Sequence, residues 1–208
     1  LPGQFHFVTF YRGRGLPAEE HHWTISSSPA ENRWVSSTIK ALGDFTATIG
    51  QTKPGDRAAV HGAFGRFSYA LHPEEKELVF FAGGIGITPL MSMLRHMRDT
   101  KDDRSVLLIY GNDNEDQIVF RKELSEIESG GHPNLSIVHV LKEPTEHWQG
   151  ETGLVDREKI ERLCGDGMGK KVFYVCGPPP MLNAIVERLK DLKVSDRNIR
   201  IEIFSFLD

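Results

Sequence analysis

Cysteine is nearly absent from this sequence: two residues, Cys164 and Cys176, stand in a chain of 208. That excludes a disulfide framework and the four thiolates of an iron–sulfur cluster, and it favours a reducing compartment. A strong excess of one charge is missing too. The net charge of −4 is spread along the chain, so nucleic acid is not an expected partner. The opening Leu1-Pro2-Gly3-Gln4 has neither the basic start nor the apolar run of a signal peptide. The apolar stretch Leu78 to Leu94 holds Gly83, Gly84, Gly86 and Pro89 and falls short of the roughly 20 residues of a membrane span. A soluble, cytoplasmic chain is the expectation. What is present, 39% hydrophobic and 26% charged residues, suits a globular protein with a proper core.

The two parts of the chain differ in rhythm. From Gln4 to about Ser68 the segments are short and separated by turn residues. Phe5, Phe7, Thr9 and Tyr11 share one face of a period-2 pattern, as do Val35, Ser37 and Ile39, which predicts a strand at each place. Lys53-Pro54-Gly55-Asp56 is a tight turn before a further strand, Arg57 to His61, and Gly43 to Gly50 is the one helix-like insert. Short strands at this spacing predict an antiparallel barrel or sandwich. A closed barrel takes about six strands, and about four can be counted, so residues upstream of Leu1 are expected to complete it.

From Glu77 the pattern becomes one of alternating strands and helices. Leu78–Ala82, Val106–Tyr110, Ile137–Leu141 and Val172–Cys176 are apolar runs of the kind buried on both faces. Helical patterns lie between them at Ile87–Met97, Phe120–Ile127 and Arg157–Leu163. Another follows the fourth strand, and a last strand runs from Ile199 to Phe206. Such units predict right-handed crossovers and a doubly wound parallel sheet. The expected boundary is the Leu71-His72-Pro73-Glu74-Glu75 linker, giving domains 1–72 and 73–208.

Two turns carry the chemistry. In Phe80-Phe81-Ala82-Gly83-Gly84-Ile85-Gly86-Ile87-Thr88-Pro89 a strand ends, glycines turn the chain, and a helix begins with Pro89 in its first turn. Backbone N–H groups and the positive helix end meet there, which suits a pyrophosphate; alone, the motif fits a tight connection equally well. In Tyr174-Val175-Cys176-Gly177-Pro178-Pro179-Pro180-Met181 a rigid turn holds a thiol at the carboxyl end of another strand, where open α/β sheets bind ligands. Alone, Cys176 fits a small core hydrophobe as well.

Together these turns resemble the ferredoxin–NADP reductase superfamily, and the resemblance covers essentially the whole chain. It implies an FAD-binding β-barrel domain over 1–72, N-terminally incomplete, and an NAD(P)-binding α/β domain over 73–208. By this resemblance Gly83, Gly84, Gly86, Thr88 and Pro89 take the dinucleotide pyrophosphate. Cys176, Gly177, Pro178, Pro179 and Met181 lie beside the nicotinamide, with Tyr110 and Gly111 at the end of the neighbouring strand. His21-His22-Trp23-Thr24, followed by Ile25-Ser26-Ser27-Ser28-Pro29, is similar to the H-P-F-T element of the ferric reductase and NADPH oxidase branch, with His22 for Pro and Trp23 for Phe. It implies Trp23 packed on the flavin, Thr24 hydrogen-bonded near its reactive nitrogen, and His21 near its phosphates or ribityl chain. Ile39, Lys40 and the helix start Gly43-Asp44-Phe45-Thr46 resemble the element that meets the FAD pyrophosphate. Ile201-Glu202-Ile203-Phe204-Ser205-Phe206 resembles the closing strand, which implies Phe204 and Phe206 covering the flavin and Glu202 near the reaction centre.

The implied function is transfer of hydride from NAD(P)H to FAD and of single electrons onward, with Thr24, Cys176, Glu202 and Phe204 around the reacting atoms and no metal site. Acidic residues in Asn112-Asp113-Asn114-Glu115-Asp116 lean towards NADH, although Arg121 and Lys122 follow closely. The acceptor implied is a haem domain, an iron–sulfur protein or a ferric chelate. The branch further implies the cytosolic dehydrogenase domain of a ferric-reductase-like membrane protein, attached at the inner face of the membrane. A flavin reductase with a diffusing acceptor and a non-catalytic nucleotide-binding module are the alternatives.

Overall fold

Alternation in the first part of the chain builds a small antiparallel sheet, seen in the computed structural model, which describes residues 1–204. Strand β1 (Phe5–Tyr11) lies between β2 (Glu20–Thr24) and β3 (Arg57–Phe64). Period 2 places His6 and Val8 on the buried face. The face predicted from Phe5 and Phe7 is only half-buried, and it gathers those rings with Phe64 and His22. Helix α1 (Asp44–Ala47) follows Gly43 and buries Phe45.

The strand predicted at Val35–Ile39 does not form. Val35 is exposed, and the Ser36 carbonyl accepts the amides of Ser26 and Ser27. The Ser36 amide donates to Ser27 Oγ, and Ser26 Oγ meets Thr38 Oγ1 at 3.1 Å. Serine hydroxyls, which compete for backbone groups, replace the expected ladder.

The second part forms six parallel strands in the order β7-β6-β5-β4-β8-β9. In chain order they are β4 (Glu77–Gly83), β5 (Ser105–Asn112), β6 (Asn134–Leu141), the two-residue β7 (Glu151–Thr152), β8 (Val172–Cys176) and β9 (Ile199–Glu202). Every residue of β8, and all of β4 after Glu77, is buried, as continuous apolar runs require. Helices α2 (Ile87–Thr100) and α3 (Arg121–Gly130) contribute to the core on one face. Helices α4 (Arg157–Cys164) and α5 (Pro179–Asp191) contribute to the core on the other. Phe67 and Tyr69, just before the predicted linker, are buried in the first of these cores.

The Leu78–Leu94 stretch is thus β4, a glycine turn and the start of α2. Among the described residues no helix is long and apolar enough to cross a membrane. The closing strand is shorter than predicted: β9 ends at Glu202, and Phe206 lies outside the described residues. Strand β7 carried no sequence signal, because two residues cannot display a period.

The chain lays β5, β6 and β7 outward from β4, then returns to place β8 on the other side of β4. The gap between β4 and β8 is therefore the topological switch point, where such sheets bind ligands.

Candidate functional site

Both motif turns open at that switch point, with Ala82 paired to Cys176 across β4 and β8. Their glycines are demanded by interlocking. A Cβ on Gly86 would lie 2.6 Å from the Cys176 carbonyl carbon and 2.7 Å from the Gly177 nitrogen. A Cβ on Gly83 would press on Met181 Sδ and on Pro178 Cδ, the latter at 2.8 Å. Gly84 differs: it has φ +50° and faces open space. The turn Gly84–Gly86 then runs directly into α2, with Thr88 and Pro89 buried in its first turn. The Thr88 hydroxyl donates to the Ile85 carbonyl at 2.9 Å, so it braces the turn. The Tyr110 hydroxyl donates to the Gly84 carbonyl at 3.1 Å, and burial pushes its pKa up to about 12. Gly111 pairs with Gly83.

Cys176 is fully buried. Burial, and after it the Glu202 charge, holds its thiol well above the ordinary range, so it does not act as a nucleophile at neutral pH. Glu202 is its partner across β8 and β9, and burial raises its pKa as well. Phe204 packs against the core cluster that includes Cys176 and Tyr110. The parallel sheet thus gathers Gly83, Gly84, Gly86, Cys176, Gly177, Pro178, Met181, Glu202, Tyr110 and Phe204 at one end; Pro179 opens α5 behind them.

The raised Glu202 value has a pH consequence. The folded state holds the proton more tightly than the unfolded chain, so stability falls as pH rises from the ordinary carboxylate value through the raised one. Glu202→Gln removes that loss. The variant is expected to melt higher than the parent at pH 8, with the gap closing as the pH drops to the ordinary carboxylate range. Thermal melts across pH check this, and a constant gap would refute it.

In the Asn112–Asp116 segment, read above for its acidic residues, the two asparagines were not foreseen as site residues. Asn112 ends β5, is 8% exposed, and neither its amide oxygen nor its nitrogen has a hydrogen-bond partner among the described residues. Asn114 Oδ1 is likewise unpartnered. Buried amides without partners at the ligand-binding end of a sheet call for a polar ligand. Their position at a strand's carboxyl end was the signal available.

A second group sits on the three-stranded sheet. Period 2 in β2 places His21 and Trp23 on one face, their rings stacked 5.6 Å apart at 10°. Phe45 joins them, 4.1 Å from His21 and 6.0 Å from Trp23 between centroids, with the buried Arg12 guanidinium over its ring. Thr24 is buried at the end of β2, paired with Phe5. Thr46 is engaged locally: its hydroxyl accepts the Leu42 and Gly43 amides at 2.9 Å each and donates to the Gly43 carbonyl. Asp44 and Lys40 are exposed, and Ile39 is half-buried. Among the described residues the ring neighbours of Trp23 are Phe10, His21 and Phe45, all in the first part of the chain. The two groups are joined through Ser26–Ser28 and α2, where Ser92 Oγ donates to the Ser27 carbonyl at 2.7 Å. A cavity of about 570 Å³ between the two parts is lined by Ser27, Ser28, Trp34, Arg95 and Glu123 among others, and, among the described residues, by none of those expected to hold cofactors. His72, Glu74 and Glu75 lie within reach of a common ion, yet the Glu75 carboxylate already receives Tyr174 and Arg200.

The family described as "Oxidoreductase NAD-binding domain" matches residues 80–187. NADH-cytochrome b5 reductase 1 of Cryptococcus neoformans is 35% identical over 194 residues, covering 89% of this chain and 62% of that protein. Across similar curated relatives the chain spans between 40% and 62% of their length. The cytochrome b5 reductase domain of Ulva prolifera nitrate reductase has the same fold, with a TM-score of 0.81 at 23% identity over 97% of this chain and 84% of that one. A ferredoxin NADP+ reductase from Neisseria gonorrhoeae superposes with a TM-score of 0.75 at 23% identity over 97% of this chain and 86% of that one. The two-part fold is shared with both of these structures.

Proposed function

Since this chain belongs to the oxidoreductase NAD-binding domain family, we propose that it is the dinucleotide-oxidising module of an FAD-dependent NAD(P)H oxidoreductase delivering single electrons to an acceptor. The observation that carries this reading is the interlocked pair of turns at the switch point, with Cys176 and Glu202 side by side beneath them. The family's flavin, when bound, takes two electrons as hydride and releases them singly.

The residues present fit both groups. Gly84 faces open space at the start of α2, where amides and the helix end favour a pyrophosphate. Asn112 and Asn114 offer unpartnered amide atoms for the rest of the dinucleotide. The flat surface of His21, Trp23 and Phe45 would hold the flavin, with Thr24 as its hydrogen-bonding neighbour. Cys176, neutral and buried, would present a small polarizable surface to the nicotinamide and exclude water. Glu202, half-buried and with its pKa raised by desolvation, would lie close to the reacting atoms.

NADH is the donor we favour. Asp113, Glu115 and Asp116 would repel an added phosphate, and Arg121, one of the two cations that follow, stands 3.6 Å from Glu115. The relatives' name supports NADH and a haem protein acceptor. Placement as the dehydrogenase domain of a ferric-reductase-like membrane protein rests on the His21–Thr24 and Ile25–Pro29 elements. The cytochrome b5 reductase relatives favour the second reading, a reductase with a diffusing haem protein acceptor.

The test is direct: load the protein with FAD and mix it anaerobically with NADH and, separately, NADPH. Loss of flavin colour, faster with NADH, is the expected result. Dinucleotide binding without bleaching would overturn the enzyme in favour of a non-catalytic module. In the same assay Cys176→Ala is expected to slow bleaching about tenfold, about 1.4 kcal/mol of barrier, with the flavin spectrum unchanged.

A further inference from the structure

Arg95 occupies the third turn of α2, the helix whose first turn follows the dinucleotide-binding glycines. Its guanidinium is largely buried, with a side-chain exposure of 15%, and each of its nitrogens is committed. Nε and NH2 bind the two Glu123 carboxylate oxygens at 2.9 and 2.6 Å, from α3. NH1 donates to the Ser26 carbonyl at 2.6 Å, in the other part of the chain. The Phe120 ring lies beneath, 4.8 Å from the guanidinium carbon. One turn earlier on the same helix face, Ser92 holds the Ser27 carbonyl. Ser26 and Ser27 are buried and stand two and three residues beyond Thr24.

A bidentate arginine is a rigid fork, and here Glu123 fixes its plane while its remaining nitrogen reaches across. The distance along α2 from Ile87 to Arg95 is about 12 Å at 1.5 Å per residue, so the helix acts as a spacer of set length. We infer that Arg95, oriented by Glu123 and aided by Ser92, is a positioning residue that sets where the Thr24 segment stands relative to the glycine turn. It thereby governs alignment of the flavin with the nicotinamide; this rests on the function proposed above. It is not among the residues that would hold either cofactor. Its substitution therefore alters the hydride step and leaves dinucleotide capture intact.

Arg95→Met, Arg95→Lys and Ser92→Ala in the FAD-loaded protein test this, with two readouts. The first needs no turnover: hydrogen exchange of the Ser26 and Ser27 amides, which bond to the Ser36 carbonyl. Arg95→Met is expected to speed it at least tenfold, about a 1.4 kcal/mol loss of local protection. The second is anaerobic bleaching by NADH. Misplacement of about 1 Å can cost about a hundredfold in rate, so a fall of ten- to a hundredfold is expected, with KM for NADH within about twofold. Arg95→Lys is expected to recover part of the rate, and Ser92→Ala to lose about threefold, again with KM unchanged. Should Arg95→Met fail to fold, Ser92→Ala carries both readouts. Unchanged exchange overturns the inference, as does a wild-type bleaching rate or a KM that rises in step with the lost rate. If the parent protein itself never bleaches, the redox reading fails, while the exchange comparison still decides whether Arg95 fixes the segment.

Discussion

Gly86→Ala is expected to destabilise the protein by about 1–3 kcal/mol and to weaken dinucleotide binding at least tenfold. The reason is what the new methyl would meet: the carbonyl carbon of Cys176 at 2.6 Å and the nitrogen of Gly177 at 2.7 Å. These are backbone atoms at the end of a buried strand, paired through Cys176 to both Ala82 and Glu202, and they have no rotamer to escape into. Relief comes only by moving the two turns apart, which widens the switch point where the dinucleotide would lie. Gly84→Ala is the contrasting variant. Its methyl would meet nothing within 4 Å, so its cost is that of a positive φ, about 1–2 kcal/mol. Denaturant titration and dinucleotide titration check both. Equal stability and affinity in Gly86→Ala and the parent would show that the turns do not interlock.

The second large effect is expected at the start of the parallel sheet. Glu75 is buried before β4 and accepts the Tyr174 hydroxyl at 2.8 Å, while Arg200 of β9 donates to its other oxygen. Arg200→Met leaves that carboxylate without its counter-charge, and breaking such a buried pair costs about 3–5 kcal/mol. Glu75→Gln is expected to cost clearly less, because the Arg200 side chain is 23% exposed and can turn to water. The double variant Glu75→Gln/Arg200→Met is expected to regain most of the loss, since no unpaired charge remains. Chemical denaturation of the four proteins measures this cycle; additive losses would dismiss the coupling. The consequence reaches the site, because β9 is only four residues long and ends at Glu202. Without Arg200 as anchor that edge strand frays, and Glu202 leaves Cys176.

Several features of this molecule could be read before any fold was known, and they share a cause. Leu78–Ala82 and Val172–Cys176 are strands because a strand covered on both faces must be apolar throughout, a purely local demand. The two motif turns were legible for a similar reason: glycine and proline record what the backbone must do at that residue. Alternation was a weaker guide. At Phe5–Tyr11 it marked a strand, although the face it picked out is only half-buried. At Val35–Ile39 it marked none, because alternation describes a strand only where a neighbour supplies the ladder. There the serines at 26, 27 and 36 bond one another instead.

The sequence by itself determined the parallel sheet, the glycine and Cys-Gly-Pro turns, and the chemistry those turns suit, since each is written in consecutive residues. Only the tertiary structure decided that Gly86 abuts Cys176, that Glu202 lies beside the same thiol, that Arg200 pairs with Glu75 across 125 positions, and that Arg95 holds Ser26. Asn112, buried with an unanswered amide, belongs to that second group. The physical reason is that partners far apart in the chain are selected by strand order and crossover, and no local spacing records which side chains a crossover will bring together.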